Sequence, residues 1–257
     1  MSQKNKTVVK SMDILELFYD HPALTFQEMI DISQIPKSSV YRMIRSLEDI
    51  GFLEKGDDAK YRLGTLFLKF GHLVSSRIDL RQIAYPHMNA LHERFHEAVN
   101  LTVREKDEAV YIEKIDQYQR VKLYTAIGRR SPLYAGACPR AILSFLNEQE
   151  LRDYLERTAL HPMALKTMTD ETTIRYAVLQ ARRDGYTVSY SELEDHTAAV
   201  GAPIFDYRGE VIGALSMAGL EANYTEEIVR TYGEAVKEAA FQISEQMGYD
   251  PEHIHYV

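Results

Sequence analysis

The run 35–55, IPKSSVYRMIRSLEDIGFLEK, gathers groups suited to holding a polyanion. Counted along an α-helix, Lys37, Ser38, Tyr41, Arg42 and Arg45 fall on one side, opposite Val40, Met43, Ile44 and Leu47. Ser39 sits at the N-terminal edge of that polar side. Arginine can bridge a guanine edge with two hydrogen bonds, lysine offers a point charge to a phosphate, and hydroxyls suit either. Pro36 opens the helix where a missing N–H costs nothing, and the first-turn amides and dipole favour an anion there. A charged face alone is equally what a solvated helix presents. The neighbouring elements have to decide between the two.

Those elements form a recognisable order. The stretch 8–19 has Val8, Met12, Leu15 and Phe18 at helical spacing, with Val9, Ile14 and Leu17 beside them, which predicts a helix with one broad buried face. His21-Pro22 ends it. Thr25 followed three residues later by Glu28 is a capping-box pattern, so a short helix through Met29, Ile30 and Ile32 starts there. Residues 33–35 make a tight connection to the polar-faced helix, which Gly51 stops. Residues 52–55 and 61–63 read as short strands, joined by a hairpin turn over 56–60. Helix, helix, tight turn, helix and hairpin is a winged helix-turn-helix, with the opening run as recognition helix and start of the wing. The predicted DNA contacts are Thr25, Lys37, Ser38, Ser39, Tyr41, Arg42, Arg45 and Lys60. Winged helices also serve as protein-binding modules, so fold alone does not settle the partner.

Two other constellations could carry chemistry. Cys138, the single cysteine, begins a predicted helix beside Arg140, where dipole and cation would lower its pKa. Its bland reading is a small core residue. HERFH fits a zinc-hydrolase helix, with His92 and His96 as ligands and Glu93 as general base, but no third ligand is evident and the pattern is short. An enzyme or redox sensor on Cys138, or a zinc hydrolase on His92, Glu93 and His96, is therefore the alternative to nucleic-acid binding. HisIleHis at 253–255 could bind metal adventitiously. No Gly-rich phosphate loop occurs, and the reading calls for no cofactor and no metal.

The charge is split. Residues 1–78 carry 11 Lys+Arg against 10 Asp+Glu, and the remainder 19 against 28. A near-neutral head on an acidic body suits a polyanion-binding module joined to something that is not one. A 45% hydrophobic content provides for a sizeable core, and no apolar run reaches the ~18 residues of a membrane span. The N-terminus lacks a signal-peptide core, and one cysteine cannot form an internal disulfide; a cytoplasmic setting follows as the expectation.

Beyond the wing, Leu66, Phe67, Phe70, Leu73 and Val74 form an apolar stripe with little head to pack on, which predicts contact with a partner chain. A further helix turns Ile83, Met88, Leu91 and Phe95 inward. The body then alternates: strands over 100–104, 109–115 and 121–127, helices over 137–146, 148–157 and 172–183, strands over 187–190, 198–205 and 211–217, and a closing helix from an N-cap at Thr225 to near Gly248. Hairpin-linked strands with flanking helices make an α+β fold on an antiparallel sheet.

KTVVKSMDILELF, LTFQEMIDISQIPKSSVYRMIRSLEDIGFLEK and YRLG resemble the head of the IclR family of bacterial transcription regulators. The resemblance continues through GRRSPLYAGA, AILSFL, DGYTVSYSELE, VGAPIFD and GALSMAG, in family order and over residues 5–250. It implies a winged helix-turn-helix over 5–67, a linker helix over 68–79, and a GAF-like effector-binding domain over 80–250. It also implies a homodimer or dimer of dimers reading an inverted repeat in double-stranded operator DNA, repression more than activation, and a small organic acid as effector. On the matching positions, Gly136 and Ala137 would offer amides to a carboxylate and Ser216 a hydroxyl, with Leu133, Ala199 and Ala218 on the apolar side. The sequence departs from the family pattern: a frequent Asp is Ser189, a frequent Cys is Ala199, a second frequent Ser is Ala218, and the usual SerGlyLys is Cys138-Pro139-Arg140. A less polar pocket of this kind suits a carboxylate with a larger apolar or cyclic body.

Overall fold

The computed structural model describes residues 5–75, 79–116 and 126–251. They fall into two compact units, one ending at Ser75 and one starting at Asp79. Each is built around its own core.

The first unit contains α1 (Lys6–Asp20), β1 (Leu24–Thr25), α2 (Phe26–Ser33), α3 (Lys37–Asp49), β2 (Leu53–Lys55), β3 (Lys60–Leu63) and α4 (Leu66–Ser75). The Thr25 capping box forms in full: its hydroxyl accepts from the Glu28 amide at 3.3 Å while the Glu28 carboxylate accepts from the Thr25 amide at 2.7 Å. α2 ends at Gln34 in the left-handed region, which turns the chain within three residues into α3. Ile14, Leu15 and Phe18 of α1, Met29 of α2, and Val40, Met43, Ile44 and Leu47 of α3 share one core with Leu24, Leu53 and Tyr61 of the sheet. The wing has three strands, in the order β1-β3-β2, rather than two. Leu24 and Thr25 pair with Tyr61 and Lys60, a two-residue strand too short to leave a sequence period.

The broad buried face expected of α1 is only half correct. Val8, Val9 and Met12 are exposed, and burial begins at Ile14, because the N-terminal turns of α1 extend past the core. α4 packs through Phe67 and Phe70 against Phe52, ring centroids 5.0 and 6.0 Å apart, while Leu68, Leu73 and about half of Phe70 remain exposed. The side chain of Val74 lies outside the described residues.

The second unit runs α5 (Leu80–Phe95), β4 (Ala98–Glu105), β5 (Glu108–Ile115), β6 (Arg130–Pro132), α6 (Ala137–Ser144), α7 (Glu148–Arg157), α8 (Glu171–Asp184), β7 (Thr187–Tyr190), β8 (Thr197–Phe205), β9 (Val211–Leu220), a 3-10 turn at Glu221–Asn223 and α9 (Glu226–Gln246). The strands form one antiparallel sheet in the order β6-β5-β4-β9-β8-β7. The third strand expected over 121–127 lies mostly outside the described residues, as does 253–255; the strand beside β5 is Arg130–Pro132.

Side-chain alternation makes this a three-layer body. Val99, Leu101, Val200, Ala202, Leu215 and Met217 face the α5 and α9 side, where Met88, Leu91, Val236 and Ile243 join them. A second core gathers α6, α7 and α8 through Ile142, Leu143, Leu151, Tyr154, Ile174 and Val178 on the opposite face. The residues that alternate with the first set, Asn100, Ser189, Ala199, Gly201, Ser216 and Ala218, therefore lie beneath α6.

Candidate nucleic-acid interface and effector pocket

In the head, α3 buries its apolar stripe and leaves Lys37, Ser38, Tyr41, Arg42 and Arg45 exposed, with Ser39 half-buried. Lys37 and Arg42 make no ion pair among the described residues. The Arg45 guanidinium stands 5.9 Å from the Tyr41 ring centroid, which holds both side chains on the same face. Pro36 provides no side-chain cap, so the amides of Lys37 and Ser38 have no acceptor among the described residues. A helix start with open amides beside lysine and arginine is an anion seat.

Two depressions border this face. Phe26 meets Tyr41 edge-on at 6.1 Å and, with Lys37, Ser38 and Arg42, forms a shallow apolar dish. On the other side, Lys6 and Lys10 of α1 line a groove with Ser39, Arg42 and Ser46. Sequence reading missed Lys6, Lys10 and Phe26, because their nearness to α3 comes from helix packing. The basic run KNKTVVK was the available signal. Thr25 has its hydroxyl committed to Glu28, so it fixes the start of α2. Lys60 pairs across the wing with Thr25, at the edge of the same unit. At the wing tip Arg62 grips Asp58 at 2.7 and 3.1 Å, and this hydrogen-bonded guanidinium holds the Asp58 carboxyl down to about 2.

In the second unit, strand register does the assembly. Ser189, Ala199, Ala218 and Ala98 stand side by side across β7, β8, β9 and β4; Thr187, Gly201, Ser216 and Asn100 form the next same-face row. α6 lies directly over Gly201: a Cβ there would come within 2.9 Å of the Ala137 carbonyl carbon. The Thr187 hydroxyl donates to the Ala137 carbonyl at 2.8 Å. Gly136, at φ +88°, turns the chain into α6, and a Cβ there would strike Leu193 at 2.5 Å. The floor and the helix start enclose a cavity of about 50 Å³, also lined by Tyr111, Arg129, Cys138, Leu193 and Glu194.

Gly136, Ala137, Ser189, Ala199, Ser216 and Ala218 line this cavity; Leu133 does not. Leu133 is fully buried in the core beneath α6 and α7, because β6 turns it inward before the helix starts. The Gly136 amide is already used: it donates at 3.0 Å to the buried Glu192 carboxylate, which also accepts from Arg140. Arg140 and Glu192 are 1% and 3% exposed, and the Val188 carbonyl takes another guanidinium N–H. The amides of Ala137 and Cys138 have no acceptor among the described residues. The Asn100 carboxamide oxygen, in a side chain 2% exposed, is buried with no hydrogen-bond partner. Asn100, Arg129 and Glu194 were not foreseen, since pairing across the sheet and a loop at 191–196 bring them in.

The two alternative chemistries do not fit. Burial raises the Cys138 thiol to about 11, and Arg140 is spent on Glu192 and Val188, so the expected thiolate is absent at neutral pH. His92 is buried with Nδ1 2.7 Å from the Glu97 carbonyl. His96 is the left-handed cap that ends α5, so it leaves the helical face on which a zinc pair would need it. Glu93 accepts from Asn89 at 2.8 Å. No metal-competent cluster of His, Cys, Asp or Glu occurs among the described residues.

A winged helix-turn-helix with an exposed cationic recognition face, carried with a sheet-and-helix sensing domain, defines a DNA-binding transcription regulator. Residues 7–57 match the IclR helix-turn-helix domain and 72–245 the bacterial transcriptional regulator IclR C-terminal domain, and the chain belongs to the IclR family. It is 50% identical to the HTH-type transcriptional regulator KipR of Bacillus subtilis over 249 residues, covering 97% of this chain and 100% of that one. It is 29% identical to KdgR of Escherichia coli, over 95% and 93%. Among solved structures it resembles the IclR of Thermotoga maritima, with 30% identity, a TM-score of 0.65 and coverage of 95% and 99%. It also resembles an IclR homologue from Microbacterium hydrocarbonoxydans complexed with 4-hydroxybenzoate, with 26% identity, a TM-score of 0.59 and coverage of 94% and 99%. These relatives are regulators rather than enzymes.

Proposed function

We propose that this chain is a cytoplasmic repressor whose hold on an inverted-repeat operator is set by a small carboxylate bound beneath α6. The observation that carries the reading is the exposed Lys37, Ser38, Tyr41, Arg42 and Arg45 face of α3, whose cations have no acidic partner among the described residues, on an otherwise acidic molecule. In this reading 5–67 is the reading head, 68–79 the linker and 80–250 the effector domain. Arg42 and Arg45 read base edges; Lys37, Ser38 and Ser39 hold phosphates, with Lys60 at the wing. The exposed Leu68, Phe70 and Leu73 support a homodimer through the head and α4. Two-fold symmetry then requires half-sites one or more helical turns apart. A dimer of dimers rests on family likeness.

For the effector, the open amides of Ala137 and Cys138 and the Ser216 hydroxyl suit a carboxylate, with Ala199 and Ala218 beside its apolar body. The 4-hydroxybenzoate complex of the Microbacterium homologue supports the ligand class. A cavity of about 50 Å³ holds a few waters rather than an aromatic acid, so admission requires its wall to move. Footprinting across the gene's own upstream region, with and without a panel of carboxylates, tests the whole reading. A protected inverted repeat that one carboxylate weakens is expected; no protection at any low-salt condition would sink it. Ala218→Phe should block that carboxylate without changing the ligand-free footprint.

A further inference from the structure

The second unit contains two seats for a carboxylate near the cavity, and the chain's own acids fill both. Glu192 sits on Gly136 and Arg140, deeply buried and held from two sides. Removing it would strand the Arg140 charge in the interior, where nothing else compensates it as closely. Glu194 is different. It pairs with Arg129, both residues line the cavity, and their side chains keep 27% and 20% of their surface in solvent. Water can reach both partners when they separate, so exchanging one carboxylate for another is cheap here.

Glu194 also sits on a loop wired to its surroundings. Its carbonyl accepts from the Thr197 hydroxyl at 2.8 Å, and its neighbour Asp195 accepts from the Leu165 amide at 2.8 Å. Ser191 accepts from the His196 amide at 2.8 Å and donates to Glu221 at 2.5 Å. The cavity is too small for an aromatic acid, and its wall at Leu193–Glu194 is held by a solvent-accessible ion pair.

We propose that Arg129 is the charge-recognising residue of the pocket and that Glu194 is its built-in competitor: an entering carboxylate takes the place of Glu194 on Arg129, and the displaced Glu194 side chain makes the room while Ser191, Glu192 and Asp195 keep the loop in place. This rests on the effector pocket argued above. It predicts that the pocket selects organic monoanions over neutral isosteres because only an anion can replace Glu194.

The test is calorimetry on the full chain with formate, benzoate and 4-hydroxybenzoate, and with benzamide as neutral control. Glu194→Gln should bind the carboxylates about tenfold more tightly than the native chain, with benzamide unaffected. Arg129→Gln should abolish carboxylate binding, and circular dichroism and melting will show whether it folds. Arg129→Lys, which keeps the charge, should restore part of the affinity. Equal affinities for Glu194→Gln and the native chain would overturn the exchange, and so would a gain shared by benzamide. If that happens while Ala218→Phe still blocks binding, the pocket stands and only the exchange fails. If Ala218→Phe leaves binding intact, the pocket itself is elsewhere. No carboxylate binding by either chain at tens of millimolar overturns the exchange, whatever the footprint shows.

Discussion

The recognition face of α3 and the space beneath α6 treat charge in opposite ways. On α3, Lys37 and Arg42 stand in solvent with no acidic partner among the described residues. Beneath α6, Arg140 is 1% exposed and bound to Glu192, and Arg129 is bound to Glu194. A surface that must meet a long polyanion keeps its cations available, because the counterions they displace supply much of the binding. A pocket that must stay folded when empty cannot leave a buried cation uncompensated. The same residue type therefore signals different things: an exposed arginine without a partner marks the interface, and a paired one beside a cavity marks the selector.

The sharpest way to break this contrast is Arg140→Ala. It strands Glu192 in the interior and should cost about 3–5 kcal/mol of stability in urea denaturation. Arg140→Met combined with Glu192→Leu should recover most of it; an Arg140→Ala protein as stable as the native chain would mean the pair is not a structural charge. Arg42→Ala should do the reverse, leaving the melting temperature unchanged and lowering discrimination between operator and altered sites by about 1–3 kcal/mol. Equal loss on all sequences would reassign Arg42 to a phosphate. A smaller effect is expected at Lys10, which shares its groove with Arg42: Lys10→Ala should weaken all DNA alike and flatten the slope of log affinity against log salt by about 1. The smallest effect is at Cys138, whose thiol should resist alkylation at neutral pH until the chain unfolds. Burial raises it from 9.0 to about 11. As pH rises through that window the unfolded chain loses the proton first, so alkali lowers stability, as a denaturation series from pH 8 upward would show.

Much of the framework was legible because local signals agreed with the final packing. The Thr25–Glu28 box, the α3 stripe and the limits of α7 and β7 follow from caps and periods within a few residues. What escaped was set at a distance. β1 exists only because Tyr61 and Lys60 are there to pair with it. The outward turn of Val8 and Met12 depends on where the core stops. In the pocket, small residues at matching strand positions could be read, but the Glu192 carboxylate on the Gly136 amide joins groups 56 positions apart. Asn100 enters through register with Ser216. No periodicity encodes such meetings.

The glycine beneath α6 has a mechanical consequence. Helices usually rest on a sheet through interlocking side chains, which resist sliding as much as lifting. Here backbone lies on backbone at Gly201, with alanines at 199 and 218 nearby. A floor without ridges offers little friction to translation in its own plane, while any approach towards it meets a hard stop. α6 is thus stiff in compression, and its resistance to shear comes from a few directional bonds, Thr187 to the Ala137 carbonyl and Arg140 to the Val188 carbonyl, rather than from interlocking side chains.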